Sequence, residues 1–522
     1  MPPRPVTIDN WPQILACFGL GFIITWALIG IILRRAERGF GGNRQRDFHH
    51  GQAAPVPRLG GVAMVSAFLI VAMAIALCTD AAGGGAATLA VVVFSSLAMF
   101  ALGLWDDVRQ VGAKLKFGIQ IAIASAVYLS NVRIELFHDP VTDTDLQLGA
   151  LGYVATVLWL VSLTNLINLI DGIDGLAGGI GLMLMLLMAN LGVTDHLDFC
   201  TLLAMGVAGA LLGFLKFNYP PAKIYMGDGG AYFLGFLIGI LSIVNSNKGT
   251  VAAALIAPAF ALALPIVDVS LAILRRGARG LPVFRPDQKH IHHHLITLGI
   301  SRERTLLNLY TVSLLCLFLA LCVFCLQGRM LPLYTGMLVL VLVVAGHLSG
   351  FTRNWFQVGS QLGQSLRLRK ETRYALTLDR WFVMEAERRG CVEDLWEDYT
   401  FVVRKLGFAR VRLTLPGGPS RTWQAADFNP QGAPLHQASH EISDGTLIEL
   451  TAVSQTMPEV LFTLFGDLAA ETWYKAAQRC RAMHPQGNPA PAADAPPGKN
   501  AAEGRDPNDP PPGTLISESV CS

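Results

Sequence analysis

The stretch "LGYVATVLWLVSLTNLINLIDGIDGLAGGIGLMLMLLMANLGV", residues 151–193, reads as two membrane-length apolar runs joined by a polar, glycine-rich turn. A helix rises about 1.5 Å per residue, so each run is long enough to cross a hydrocarbon core of about 30 Å. At the junction stand Asn165, Asn168, Asp171 and Asp174. The first three recur every third position, which on a helix keeps them within an arc of about 120° and lets them face one pocket.

The same pattern of long apolar runs extends over most of the chain. Of 522 residues, 52% are hydrophobic and 15% charged, against about 25% charged in an ordinary soluble domain. The expected fold is an all-α polytopic membrane protein with about eleven spans, near 12–33, 60–78, 86–104, 115–130, 151–168, 176–193, 200–217, 231–247, 251–274, 306–327 and 331–350. The first run lacks a small-residue cleavage site and is read as a retained span. Residues 1–351 form the membrane domain, 352–482 a small α+β domain, and the Pro- and Ala-rich 483–522 a disordered tail. Helix-like "CVEDLWEDYTFVVRKLGF", strand-like "ARVRLTL" and "GTLIELTAV", and a helix from Glu459 onward support the second domain.

Lys and Arg collect in alternate loops. Arg34, Arg35, Arg38, Arg44, Arg46 and Arg58 follow the first span, and Arg275, Arg276, Arg279, Arg285, Lys289, Arg302 and Arg304 follow the ninth. The opposite loops hold Arg133, Lys248 and Arg329. By the positive-inside bias the N-terminus lies outside and the C-terminal domain in the cytoplasm, in a cell inner membrane. A net charge of +2 says nothing of nucleic acid, and no basic cluster is interleaved with aromatics in the way such a surface requires, so no nucleic-acid partner is expected. Nine scattered cysteines give no disulfide framework, and "CVFC" (Cys322–Cys325) lies in an apolar run and reads as membrane packing.

With this topology the unusual polar residues fall on one face. "GLWDDVRQVGAKLK" (103–116), "NLINLIDGIDGLAGG" (165–179), "KFNYPPAKIYMGDGGAYFLG" (216–235) and "RPDQKHIHHHL" (285–295) are all cytoplasmic. Charges near a bilayer are costly unless paired, hydrated or metal-bound, so their convergence predicts a site. Asp106, Asp107, Asp171, Asp174 and Asp228 are hard oxygen ligands suited to Mg²⁺ rather than zinc. Lys114, Lys116, Lys223, Arg285, Lys289 and the histidines suit phosphate. Each motif alone has a plainer reading: a solvated loop for Asp106 and Asp107, capping turns for "NLIDGIDG" and "MGDGG", an ion pair with Arg275 for Asp268. His290 and His294, at i, i+4, also admit a zinc site, against which the neighbouring cations weigh.

Taken together and in order, "DD", "NLIDGIDGLAGG", "MGDGG" and "HIHHHL" resemble the polyprenyl-phosphate N-acetylhexosamine-1-phosphate transferases (glycosyltransferase 4 family) over about residues 10–350. The form "KHIHHHL" looks more like the GlcNAc-1-phosphate type than the lipid I translocase. The resemblance implies transfer of GlcNAc-1-phosphate from a UDP-N-acetylhexosamine to undecaprenyl phosphate, releasing UMP and starting a lipid-linked glycan such as lipopolysaccharide or exopolysaccharide. It implies catalytic roles for Asp106, Asp107, Asp171 and Asp174, with Asp107 orienting or deprotonating the lipid phosphate. Substrate binding falls to Lys116, Asn168, Lys289, His290, His292 and His293, and Mg²⁺ (or Mn²⁺) binding to Asp228 and Asp171.

Gln110 stands where some GlcNAc-type members carry a third acid, a departure that leaves no carboxylate ligand at that position. The resemblance leaves out the domain after 352. A homodimer and a protein partner for that domain are both compatible with the sequence. The alternatives are phospho-MurNAc-pentapeptide transfer and, more distantly, a secondary transporter; the latter normally shows internal repeats and midplane carboxylates, and no repeat is visible.

Overall fold

A computed structural model describes residues 11–36, 56–78, 85–109, 111–139, 144–194, 198–246, 258–279, 300–325, 331–348, 355–416, 420–426, 428, 434–442 and 445–484. The chain divides into two compact units, 1–373 and 374–522.

The first unit is helical. Its helices are α1 (Trp11–Arg35), α2 (Gly60–Cys78), α3 (Gly85–Val108), α4 (Ala113–Leu129), α5 (Leu151–Ile170), α6 (Leu176–Thr194), α7 (Asp198–Asn218), α8 (Gly227–Ser246), α9 (Ala263–Arg279), α10 (Arg302–Cys325) and α11 (Leu331–Leu348). A short antiparallel hairpin, β1 (Leu136–Asp139) and β2 (Thr144–Gln147), interrupts the series between α4 and α5. Its strands overlap the two ends of the acidic stretch "HDPVTDTD", residues 138–145.

Among the described residues eight of these helices are long and apolar enough to cross a membrane. The protein is therefore multi-pass. The eight do not include α4, α9 and α11, although each coincides with an expected span. α4 has 17 residues and opens on Lys114 and Lys116; α9 also has 17 residues, begins at Ala263 and ends in arginines. α11 carries a shorter apolar stretch, Leu331–Gly346.

α8 lies at the centre, with 94% of its apolar window buried. Phe68 of α2 meets Phe233 of α8 edge-on, with ring centroids 5.0 Å apart, and Trp159 Nε1 of α5 donates to Ser242 Oγ at 2.9 Å. In lipid there is little hydrophobic drive between helices, so close backbone packing must supply the adhesion. Here small residues allow it: a Cβ on Gly21 of α1 would lie 1.9 Å from the Gly206 carbonyl oxygen of α7.

The second unit contains the end of α12 (Trp355–Glu385), α13 (Leu395–Lys405), four strands and α14 (Glu459–Met483). The strands β3 (Arg410–Thr414), β4 (Ser420–Gln424), β5 (Leu435–Glu441) and β6 (Leu447–Val453) form an antiparallel sheet in the order β4-β3-β6-β5. Val411 and Leu413 of β3 and Ile448, Leu450 and Ala452 of β6 bury one face. Phe382, Tyr399 and Trp473 from the three helices join that core. The expected α+β character holds, with two polar strands and the long helix α12 added. The expected tail, 483–522, lies almost wholly outside the described residues.

Candidate active site

The site begins with a short backbone ladder. The Tyr225 N–H donates to the Pro57 carbonyl oxygen at 2.9 Å, while Gly60 and Gly61 N–H donate to the Tyr225 and Met226 carbonyls, both at 2.9 Å. These bonds hold the entry to α2 against the entry to α8. Gly227 then turns the chain with φ +75°, a conformation that a side chain disfavours. α8 starts there.

Its first N–H groups have no partners within the helix and need acceptors. Asp107, at the end of α3, supplies them: Oδ1 accepts the Asp228 N–H at 3.1 Å and Oδ2 the Gly229 N–H at 3.0 Å. A carboxylate at a helix N-terminus also meets the positive end of the dipole. The cap is tertiary, since residues 107 and 228 are 121 positions apart.

Asp228 projects from this fixed turn toward two partners. Asn168 Nδ2, in the last turn of α5, donates to Asp228 Oδ1 at 2.9 Å. The Asp106 side chain lies within hydrogen-bonding reach of Asp228. Asp106 is itself buried; its Oδ1 accepts the Val111 N–H at 2.8 Å, and its Oδ2 is ion-paired to Lys116 at the start of α4. Two carboxylates in contact demand a shared proton or a cation between them. No three His, Cys, Asp or Glu among the described residues form a complete metal cage. One or two carboxylates are nonetheless the usual protein share of a Mg²⁺ site, which keeps most of its positions for water and substrate.

Asp171 caps the C-terminal end of α5. Burial, and then the charges of Asp228 and Asp107, push its carboxyl well above the ordinary carboxylate range, while Arg58 opposes them. Asp174 has a different task. Its Oδ2 accepts the Ala222 N–H at 3.0 Å, Asn218 Oδ1 accepts the Gly175 N–H at 2.9 Å, and Asn218 Nδ2 donates to the Ile224 carbonyl at 2.8 Å. Tyr310 of α10 donates to the Gly175 carbonyl at 2.6 Å. Asp174 thus binds the α5–α6 turn to the α7–α8 connection and supports the site from behind.

Asp106, Asp107, Asp171, Asp228, Asn168 and Lys116 therefore come together at the ends of α3, α4, α5 and α8. Asn165, expected on the same arc, turns instead to Gln120 of α4, donating to its Oε1 at 2.7 Å. Asp268 lines a mostly apolar cavity with Leu169, Ile170 and Leu309. Gln110, Lys289, His290, His292, His293 and His294, and the side chain of Arg275, lie outside the described residues. In the sequence Arg58 marks only the topology of a positive loop; in the structure its charge acts on Asp107, Asp171 and Tyr225. The signal for it was the ladder-forming "PRLGG" beside it, which has no recognisable periodicity.

A central buried helix capped by a neighbour's carboxylate, with acids and cations gathered at one end of the bundle, gives a multi-pass membrane protein a polar site at its helix ends. Comparison with known proteins gives its class. Residues 89–246 match glycosyl transferase family 4. The chain is 29% identical to the probable undecaprenyl-phosphate N-acetylglucosaminyl 1-phosphate transferase of Bacillus subtilis (strain 168), over 56% of this chain and 80% of that protein. It is 32% identical to the decaprenyl-phosphate N-acetylglucosaminephosphotransferase of Mycolicibacterium smegmatis, over 57% and 79%. Similarity extends, at 28% identity over 60% and 98%, to the phospho-N-acetylmuramoyl-pentapeptide-transferase of Listeria welshimeri. The chain belongs to glycosyl transferase family 4.

Proposed function

We propose that the protein transfers N-acetylglucosamine-1-phosphate from UDP-GlcNAc to undecaprenyl phosphate, releasing UMP. The observation that carries this reading is the meeting of Asp106, Asp228, Asn168 and Lys116 at one end of the bundle. That end also carries Arg34 and Arg35 in the last turn of α1, Arg58 and Arg302, so the positive-inside bias makes it cytoplasmic. A lipid carrier presents its phosphate at headgroup depth and a nucleotide sugar arrives from the cytosol, so helix ends are where both can be reached. GlcNAc is preferred over MurNAc-pentapeptide because the GlcNAc-type relatives are the more similar.

In the reaction a lipid phosphate oxygen attacks the sugar-bearing phosphorus, the new P–O bond forms, and the bond to the UMP oxygen breaks. The acceptor's second ionisation lies near about pH 6 by analogy with phosphorylated side chains, so a strong base is unnecessary. The larger barrier is bringing two anions together in line.

Lys116 and Arg58 offset that charge. Asn168 holds Asp228 in one rotamer, and Asp174 with Asn218 keeps the turn bearing Asp171 in place. The residues fit Mg²⁺ as a pair of hard oxygen donors: Asp228 and Asp106 face each other, while Asp171 interacts with Asp228 through charge. When bound, the ion would neutralise the diphosphate and stabilise departing UMP. Direct attack is favoured over an aspartyl-phosphate intermediate, because Asp106 and Asp107 are already engaged by Lys116 and by α8.

The test uses purified protein in detergent with Mg²⁺, undecaprenyl phosphate and a panel of UDP-sugars, following UMP and lipid product. Lipid-dependent UMP release from UDP-GlcNAc, lost in Asp228→Asn, supports the reading; turnover only with another donor, or none in folded protein, overturns it.

A further inference from the structure

From sequence, Asp106 and Asp107 look like equivalent members of an acidic pair, with Asp107 the candidate to take a proton from the acceptor phosphate. The structure separates them. We propose that Asp107 is a positioning residue: its carboxylate clamps the first turn of α8 and thereby fixes Asp228 opposite Asp106, setting the divalent-cation site. This rests on the reading of Asp228 as a metal ligand.

Three features converge on the clamp. Both Asp107 oxygens receive backbone N–H groups, those of Asp228 and Gly229, so swinging the carboxylate onto a phosphate would uncap α8. Gly227 is shaped for it: its φ is +75°, and a Cβ there would lie 2.7 Å from Asp107 Oδ2. The approach of α3 is prepared one helical turn earlier. Gly103 shares a face with Asp107 at i, i+4, and a Cβ on it would sit 2.4 Å from the Asp228 carbonyl oxygen.

The face of α3 from Gly103 to Asp107 thus lies backbone to backbone on the turn that carries Asp228. Asp106, one position away and about 100° round the helix, points to Lys116 and the Asp228 side chain instead. Groups that orient a metal ligand are commonly worth about 10–100-fold in metal affinity. Asp107 holds its ligand through the backbone.

The test measures Mn²⁺ binding by electron paramagnetic resonance on the purified full-length protein without substrates, in wild type, Asp107→Asn, Gly227→Ala, the double variant and Asp228→Asn as reference. Asp107→Asn and Gly227→Ala should each weaken Mn²⁺ binding about 10–100-fold. The double variant should be little worse than the weaker-binding single one, because both break one clamp. Wild-type Mn²⁺ affinity in Asp107→Asn, with turnover lost, overturns the proposal and returns Asp107 to the role of base.

If Asp107→Asn does not fold, Gly227→Ala decides alone, since it keeps every carboxylate: unchanged Mn²⁺ affinity there also overturns the proposal. Mn²⁺ weakened as expected in a protein that makes no lipid-linked sugar supports the clamp and sinks the transferase reading. Turnover by a wild type that binds no Mn²⁺ sinks the clamp.

Discussion

The side-chain amide of Asn168 donates to Asp228 Oδ1 across 2.9 Å, joining the last turn of α5 to the first turn of α8 over sixty positions of sequence. It takes up one of the two oxygens of a carboxylate that already faces Asp106. Removing it should free Asp228 to turn toward other donors. Asn168→Ala is expected to lower kcat about 10–100-fold while costing only about 1 kcal/mol of stability. Turnover and thermal unfolding on the same preparation check this; wild-type kcat would remove Asn168 from the site.

Asp171 makes a pH-dependent prediction. Its folded carboxyl is raised, so the native state holds that proton more tightly than the unfolded chain does. Its contribution to stability is therefore present below the ordinary carboxylate range and is lost as pH rises through the raised value, above which the charged group opposes folding. Asp171→Asn, without divalent cation, should unfold a few degrees higher than wild type near pH 7, with the difference closing toward about pH 4. Turnover should fall nevertheless. Parallel unfolding curves across this range would contradict the burial argument.

Lys116 holds Asp106, whose carboxylate is buried, while the lysine is partly exposed. Lys116→Gln leaves Asp106 and Asp228 facing each other without that counter-charge. Because an uncompensated buried charge is costly, the unfolding midpoint should drop and turnover should be lost. Adding Asp106→Asn should restore most of the stability and none of the activity. A single-variant midpoint equal to wild type would show the ion pair to be marginal.

Arg58 stands on the Pro57–Gly61 ladder beside Gly227 and opposes the surrounding acids. Arg58→Gln should raise the KM for UDP-GlcNAc about tenfold or more, as loss of a charge-assisted phosphate contact does. Steady-state kinetics at varied donor and fixed acceptor measure this. A change confined to the KM for undecaprenyl phosphate would place Arg58 on the other substrate.

The sequence by itself determined the helical membrane class, the approximate position of the apolar helices and the face on which the polar motifs gather. Those properties are local: hydrocarbon thickness sets a run length, and glycine with aspartate sets a turn. Within the C-terminal unit, apolar alternation made β3 and β6 legible. The polar strand β4, "SRTWQ", and β5, "LHQASHE", bury too little to announce themselves. They are strands because β3 and β6 offer them unpaired backbone edges. In the membrane unit, five aspartates of identical chemistry were indistinguishable by composition or spacing. Only the tertiary structure decided that Asp107 caps α8, Asp174 ties two turns together, Asp106 takes Lys116 and Asp228 takes Asn168. The reason is physical: each assignment depends on which N–H or cation lies within 3 Å or so of the carboxylate, and those partners come from helices far apart in the chain, brought together by glycine-mediated packing.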